Sequence, residues 1–300
     1  MKLQIAHLYP DLLNLYGDRG NIQCMVMRCR WRGIEAEVTE YRLDDAVDFS
    51  NTDIVLLGGG SDREQQIVCT RLQQIRKDFY EYVEDGGTVL AVCGGYQLLG
   101  HYYDTPDGRM KGLALVDLYT QKGMVPSSTG GGINKYSQEG SNPLLSMPPA
   151  DHRRGQRNDA MHRPRRDKNA EAFLKEQESP RLIGNIVLKN ETLPYEIVGF
   201  ENHGGRTYIG DNAAFGEVVS GFGNNGKDGR EGVRYKNVIG TYLHGPLLPK
   251  NPHVCDLLLK NALERKYGKT ELPLLDDELE RKANRSILER VLKKNRTHSV

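Results

Sequence analysis

Cys93 stands where a strand turns into a helix. In Gly87-Thr-Val-Leu-Ala-Val-Cys-Gly-Gly-Tyr-Gln-Leu-Leu-Gly100 the β-branched, apolar run from Thr88 to Val92 reads as a buried strand, and Tyr96 to Leu99 as the start of a helix. On such an elbow a nucleophile is held on a sharp turn, and the glycines beside it allow tight folding and close approach of a substrate. The helix that follows aims its free N–H groups and positive dipole end at the sulfur, which favours the thiolate. Taken alone, the same pattern also fits a small buried cysteine after an ordinary Gly-Gly turn. A partner base decides between the two.

A thiol nucleophile needs a group that takes its proton and later donates one to the leaving group, and a neutral imidazole does both. Two histidines follow predicted strands. His244 ends Asn237-Val-Ile-Gly-Thr-Tyr-Leu-His, where Gly245-Pro246 stops a buried strand, and His203 lies in the polar turn Glu201 to Thr207 after a strand over Tyr195 to Phe200. His244 has the better placement, at a strand end where catalytic groups of open α/β sheets gather. Gly58-Gly59-Gly60 follows another buried strand, and its N–H groups suit an oxyanion hole beside the sulfur, or a flexible turn.

The elements that must position these groups alternate regularly. Leu3 to Tyr9 reads as a strand, residues 10–21 as a loop with Asn21 as helix N-cap, and Ile22, Met25, Val26 and Cys29 as a helix face stopped by Gly33. Glu35 to Tyr41 is an outer strand, Asp53 to Leu57 a buried one, and Ile67, Leu72, Ile75, Phe79 and Val83 mark one long helix ending at Gly86-Gly87. The alternation implies an α/β fold, a doubly wound, mostly parallel sheet flanked by helices. Further strands are expected at Leu113 to Tyr119 and Arg181 to Leu188, a Gly/Asn/Asp-rich loop or hairpin at 221–232, a helix at Pro252 to Tyr267 and a charged amphipathic helix at Asp277 to Lys294.

The chain is read as a single domain over 1–270, with 271–300 a C-terminal charged helix. Residues 123–179 are polar and rich in Gly, Pro and Arg, which predicts a flexible, basic, disordered insertion. The net charge of +1 gives no general case for nucleic acid, and no apolar run approaches the roughly 20 residues of a membrane span. Five cysteines with no CxxC pair argue for reduced thiols, and Met1 to Tyr9 is too short for a signal peptide, so the expected location is the cytoplasm.

Val92-Cys-Gly-Gly-Tyr-Gln97, the glycine loop and Thr241-Tyr-Leu-His244 together resemble the class I glutamine amidotransferases of the cobyric-acid-synthase-like branch. Within it, Tyr9-Pro-Asp-Leu-Leu-Asn-Leu-Tyr-Gly-Asp-Arg-Gly-Asn21, Gly199 to Thr207 and Gly240 to Pro246 resemble the glutaminase subunits of lipid II isoglutaminyl synthases. The resemblance implies hydrolysis of L-glutamine to glutamate and ammonia. Cys93 is then the nucleophile, His244 the proton carrier, Gly59 and Gly94 the oxyanion donors, Arg181 the α-carboxylate ligand and Gln97 a cleft residue. It implies no cofactor or metal in this chain, and a heterodimeric partner, a Mur-ligase-like synthetase that uses ATP and Mg to amidate the D-glutamate of the lipid II stem peptide. No P-loop pattern is present here. Two departures stand out: Gly245-Pro246-Leu247 lacks the acidic residue many class I enzymes carry after the histidine, and Ala91 replaces a common glycine. A dyad, Glu201, or a carboxylate from the partner are the ways to fill the gap. A stand-alone γ-glutamyl peptidase and a catalytically silent scaffold subunit are the competing expectations.

Overall fold

The computed structural model describes residues 1–15, 17–105, 107–123, 180–269 and 271–297. Beyond Gly123, the expected insertion lies outside them. The centre of the fold is a six-stranded sheet in the order β13-β14-β4-β3-β1-β2, made of β1 (Lys2–Leu8), β2 (Glu35–Tyr41), β3 (Ile54–Leu57), β4 (Thr88–Val92), β13 (Val233–Tyr235) and β14 (Val238–Thr241). All neighbours run parallel except β13, which pairs antiparallel with β14. Every residue of β3, β4 and β14 is buried, which is why these strands read as unbroken apolar runs rather than alternating ones. Each buried Val, Leu or Ile contributes roughly 1.5–3 kcal/mol, so this layer is the main hydrophobic anchor of the fold.

The helices are α1 (Arg19–Trp31), α2 (Asp62–Gln74), α3 (Arg76–Glu84), α4 (Gly94–Leu98), α5 (Pro252–Tyr267) and α6 (Glu278–Thr297). Two expectations change. Asn21 is not the cap of α1 but lies inside it, fully buried, where its side-chain oxygen accepts the Leu248 N–H at 2.9 Å. The single long helix after Gly60 is two helices, α2 and α3, broken at Ile75; Ser61 and Glu64 form a reciprocal capping box at the start of α2.

The doubly wound description covers the central sheet and stops there. A second sheet, β10-β7-β5-β6, joins β5 (Tyr102–Thr105), β6 (Gly108–Lys111), β7 (Tyr119–Lys122) and β10 (Gly205–Tyr208). A third, β12-β11-β8-β9, joins β8 (Leu182–Lys189), β9 (Ile197–His203), β11 (Gly216–Ser220) and β12 (Arg230–Glu231). The strand expected over Leu113 to Tyr119 is replaced by β7, which begins only at Tyr119. The apolar residues before it turn back, and the N–H groups of Leu113, Ala114, Leu115 and Val116 donate to carbonyls of Leu98, Leu99 and Gly100. β9 also runs three residues further than expected, so Glu201, Asn202 and His203 are strand residues and not a turn.

The C-terminal segment is tied down by charge. Arg28, 1% exposed, donates from Nε and Nη2 to Asp256 at 2.7 Å and from Nη1 to Asp277 at 2.6 Å. Val291 of α6 packs with Val187 of β8 and Val198 of β9. No helix among the described residues is long and apolar enough to cross a membrane.

Candidate active site

Parallel pairing places the carboxyl ends of β3, β4 and β14 side by side, with Leu57 opposite Ala91 and Val92 opposite Thr241. The loops that leave them meet at one point. Cys93 follows β4 directly, and its N–H donates to the Thr241 carbonyl at 2.8 Å. Its φ of 52° and ψ of −105° form the sharp turn expected of a nucleophile elbow. A non-glycine residue there stores roughly 1–3 kcal/mol of strain, which the surrounding buried strands must hold. Gly95 explains how the turn closes: a Cβ at that position would lie 2.4 Å from the Leu57 carbonyl oxygen.

His244 comes three residues after β14 and is 1% exposed; its N–H donates to the Phe200 carbonyl of β9 at 2.8 Å. Gly59 separates it from the sulfur-bearing residue. A Cβ on Gly59 would sit 3.1 Å from the Cys93 Cβ and 3.6 Å from the His244 Cε1, so both side chains border the same small space. The other histidine, His203, is arranged differently. Its ring stacks flat on Tyr242 at 3.6 Å between centroids, its Nδ1 lies 2.9 Å from the Gly205 carbonyl, and its Nε2 lies 3.8 Å from Glu201. Both Glu201 oxygens accept backbone N–H groups, from Phe222 at 2.7 Å and Gly223 at 2.9 Å. Glu201 therefore stands beside His203 and is held by the 222–223 backbone.

Burial sets the protonation of the pair. It pushes the Cys93 thiol up to about 12, and the Asp18 carboxylate acts in the same direction, while the Gly94 N–H bonded to the sulfur and the Arg181 charge pull it down. Burial lowers His244 to about 3, with His203 and Arg181 adding to the effect. At neutral pH the pair is thiol and neutral imidazole. The expected thiolate is not favoured because α4 is only five residues long, too short to supply much of a dipole against full burial. Asp18 is a residue the sequence did not single out. It is 1% exposed, is raised to about 6 by burial, and its Oδ2 accepts the Gly59 N–H at 2.9 Å. Of the two glycines expected to supply oxyanion donors, Gly59 gives its N–H to Asp18 and Gly94 gives its N–H to the sulfur.

Cys93 opens onto a cleft of about 270 Å³ that Gln97, Arg181 and His203 also line. Arg181 precedes β8 and is exposed; its Nε donates to Asn202 Oδ1 and its Nη2 to the Asn202 carbonyl, both at 2.8 Å. Gln97 donates from Nε2 to the Tyr242 hydroxyl at 3.1 Å, and that hydroxyl pairs with Thr207 at 2.5 Å. Beneath the His244 loop, Glu231 is fully buried and accepts the Tyr242 N–H at 2.7 Å and the Thr241 hydroxyl at 3.1 and 3.2 Å. Burial pushes its carboxyl up to about 8. Sequence reasoning missed Glu231, and also Asp62, Gln65 and Tyr103 on the cleft wall; only the Asp directly after Gly58-Gly59-Gly60-Ser61 had a local signal.

A family model described as the CobB/CobQ-like glutamine amidotransferase domain matches residues 4–130 and 170–252. The chain is 37% identical over 290 residues, 96% of each protein, to the lipid II isoglutaminyl synthase (glutamine-hydrolyzing) subunit GatD of Staphylococcus aureus. It is 34% identical to the subunit of the same name from Streptococcus pneumoniae, covering 92% of this chain and 86% of that one. A cobyric acid synthase of Listeria welshimeri is more distant, 23% identical over 71% of this chain and 32% of its own length.

Proposed function

The chain belongs to the CobB/CobQ-like glutamine amidotransferase family, and on that premise we propose that it is the glutaminase subunit of a lipid II isoglutaminyl synthase. The observation that carries the reading is the pairing of Cys93, on its positive-φ elbow, with His244 across Gly59. The likeness to two subunits of that name runs over nearly their whole lengths, whereas the cobyric acid synthase is matched over only 32% of its length.

In the proposed reaction Cys93 passes its proton to His244 as the sulfur attacks the side-chain carboxamide carbon of L-glutamine. A neutral thiol and a neutral imidazole suit this order, since the proton moves during attack rather than before it. The Gly94 N–H, and the Gly59 N–H once Asp18 yields it, stabilise the oxyanion. His244 then protonates the leaving nitrogen, ammonia departs, and a γ-glutamyl thioester remains. Water, deprotonated by His244, cleaves the thioester to glutamate and restores the thiol. Arg181 pairs with the substrate α-carboxylate through its planar guanidinium. Gln97 and His203 complete the cleft wall around Tyr242.

The ammonia is delivered to a Mur-ligase-like synthetase subunit, which activates the D-glutamate α-carboxyl of the lipid II stem peptide with ATP and Mg; the assembly is a cytoplasmic heterodimer. Glu201 is committed to the 222–223 backbone and to His203, which leaves a Cys-His dyad or a carboxylate from the partner as the alternatives for the third group. The test is glutamate release from L-glutamine by the chain alone and with the co-expressed synthetase, beside Cys93→Ala and His244→Ala. Activity that needs both residues and rises with the synthetase is expected. Absence of glutamate release in every arm would return the chain to a scaffold role, and cleavage of γ-glutamyl peptides without the synthetase would make it a peptidase.

A further inference from the structure

The cleft that Cys93 opens onto carries opposite charges on opposing elements. Arg181 enters from the start of β8, and Asp62 from the first turn of α2. At about 270 Å³ the space is just below the range usual for drug-sized ligands, which suits one amino acid. Cys93, Arg181 and Asp62 all line this one cleft, so the two charges face the space in which a substrate would meet the sulfur.

Asp62 is not needed to close its helix. Ser61 and Glu64 already form the capping box there. The Tyr103 hydroxyl donates to Asp62 Oδ1 at 3.1 Å and fixes the carboxylate, leaving the second oxygen for another donor. Three residues on, and therefore on the same helical face, Gln65 lines the same cleft. Gln65 is 3% exposed, and its Nε2 donates to the Gly60 carbonyl at 3.1 Å, which fixes which end of the amide is oxygen. Its Oε1 is buried and meets no hydrogen-bond donor among the described residues. A buried acceptor without a donor is unfavourable by about 1–3 kcal/mol, and a ligand that brings an N–H relieves it.

We propose that Asp62 and Gln65 form a subsite for the α-ammonium group of the substrate, so that the cleft reads the zwitterion of a free L-amino acid end, with Arg181 on the carboxylate. This rests on the glutaminase reading for the orientation of substrate toward Cys93. It goes further in naming what part of glutamine the α2 wall selects. A ligand with the same carboxamide and carboxylate but no amino group leaves Asp62 uncompensated and Gln65 Oε1 without its donor, and is rejected for that reason.

The test is equilibrium binding, by titration calorimetry, of L-glutamine and of glutaramate, its deamino analogue, to full-length protein carrying Cys93→Ala so that turnover does not intervene. L-glutamine is expected to bind at least about 30-fold tighter than glutaramate. Asp62→Asn in the same background should bring that preference to within about threefold, by weakening L-glutamine, and Asp62→Glu should restore part of it. Gln65→Leu should also reduce the preference, and it serves if Asp62→Asn does not fold. Equal affinity for the two ligands, absence of L-glutamine binding, or a preference unchanged in the Asp62 and Gln65 variants would each overturn the subsite. Loss of the glutaminase reading shows separately, as absence of glutamate release by the Cys93 protein.

Discussion

The Asp18 carboxylate accepts the Gly59 N–H at 2.9 Å, linking two residues 41 positions apart in a fully enclosed setting. Gly59 in turn borders both Cys93 and His244, so a buried charge is built into the loop that frames the nucleophile. The other Asp18 oxygen is buried with no hydrogen-bond partner among the described residues. Burial raises this carboxyl from 3.8 to about 6, and the Gly59 bond recovers only part of the loss.

A carboxyl raised in the folded chain holds its proton more tightly there than in the unfolded chain. Its contribution to stability is present below 3.8 and lost as pH rises through about 6. Asp18→Asn keeps an acceptor for Gly59 and removes the titration. The variant should gain on the order of 3 kcal/mol relative to the unaltered chain between pH 4 and pH 7.5, measured by urea unfolding at both values. A stability difference independent of pH would show that Asp18 is not buried as a charge.

Because Cys93 and His244 are a neutral pair, Cys93 should be a slow nucleophile toward iodoacetamide at pH 7.5. Its alkylation rate, followed by mass spectrometry of the Cys93 peptide, should climb about tenfold per pH unit to beyond pH 10, as expected of a thiol raised to about 12. In Asp18→Asn the rates should be higher throughout, since a charge opposing the thiolate is gone. A plateau reached below pH 8 would instead require a preformed ion pair with His244.

Gly59→Ala inserts a methyl group 3.1 Å from the Cys93 Cβ and 3.6 Å from the His244 Cε1. The first contact is tight, and the Cys93 side chain or the loop must give by a few tenths of an ångström. Glutamate release should fall about 100-fold, as reactive groups displaced by a fraction of an ångström to an ångström lose alignment. The unfolding free energy should fall by only about 1–3 kcal/mol, the usual penalty of overpacking. Equal losses in both would mean that the position serves the fold rather than the site.

Arg28 is a buried cation between two carboxylates. Burial opposes its charge, but the hydrogen bonds to Asp256 and Asp277 outweigh that and hold it above its ordinary value. Removing it in Arg28→Ala leaves Asp277 without its arginine and Asp256 with Arg32 alone, and stability should drop by about 3 kcal/mol. Limited proteolysis should at the same time begin to cut at 268–277, the stretch that Asp277 anchors. Asp277→Asn should expose the same stretch with a smaller loss of stability.

The strands that carry the site were legible because each is buried on both faces. Residues 54–57, 88–92 and 238–241 have no exposed positions, so hydrophobicity alone marks them, and the glycines and Cys93 that follow mark their ends. The hairpin of β5 and β6 was not legible: its strands are four residues each and mostly half-buried or exposed, so no periodicity stands above the loops around it. Glu201 and His203 looked like turn residues because they are polar. They are strand residues facing a polar interior, where Phe222, Gly223 and Tyr242 satisfy or pack against them.

By itself the sequence determined the local chemistry: a cysteine on an elbow, glycines that let the chain close around it, and a histidine shortly after a buried strand. Those depend on residue type and near neighbours, which a chain carries in its order. Only the tertiary structure decided that His244 shares the Gly59 space with Cys93 while His203 lies on Tyr242, and that Asp18 holds the Gly59 N–H. It also decided that thiol and imidazole rest uncharged. The physical reason is that side-chain facing follows from strand register across the sheet, and protonation follows from burial; both are set by segments far apart in the chain, and no local pattern encodes either.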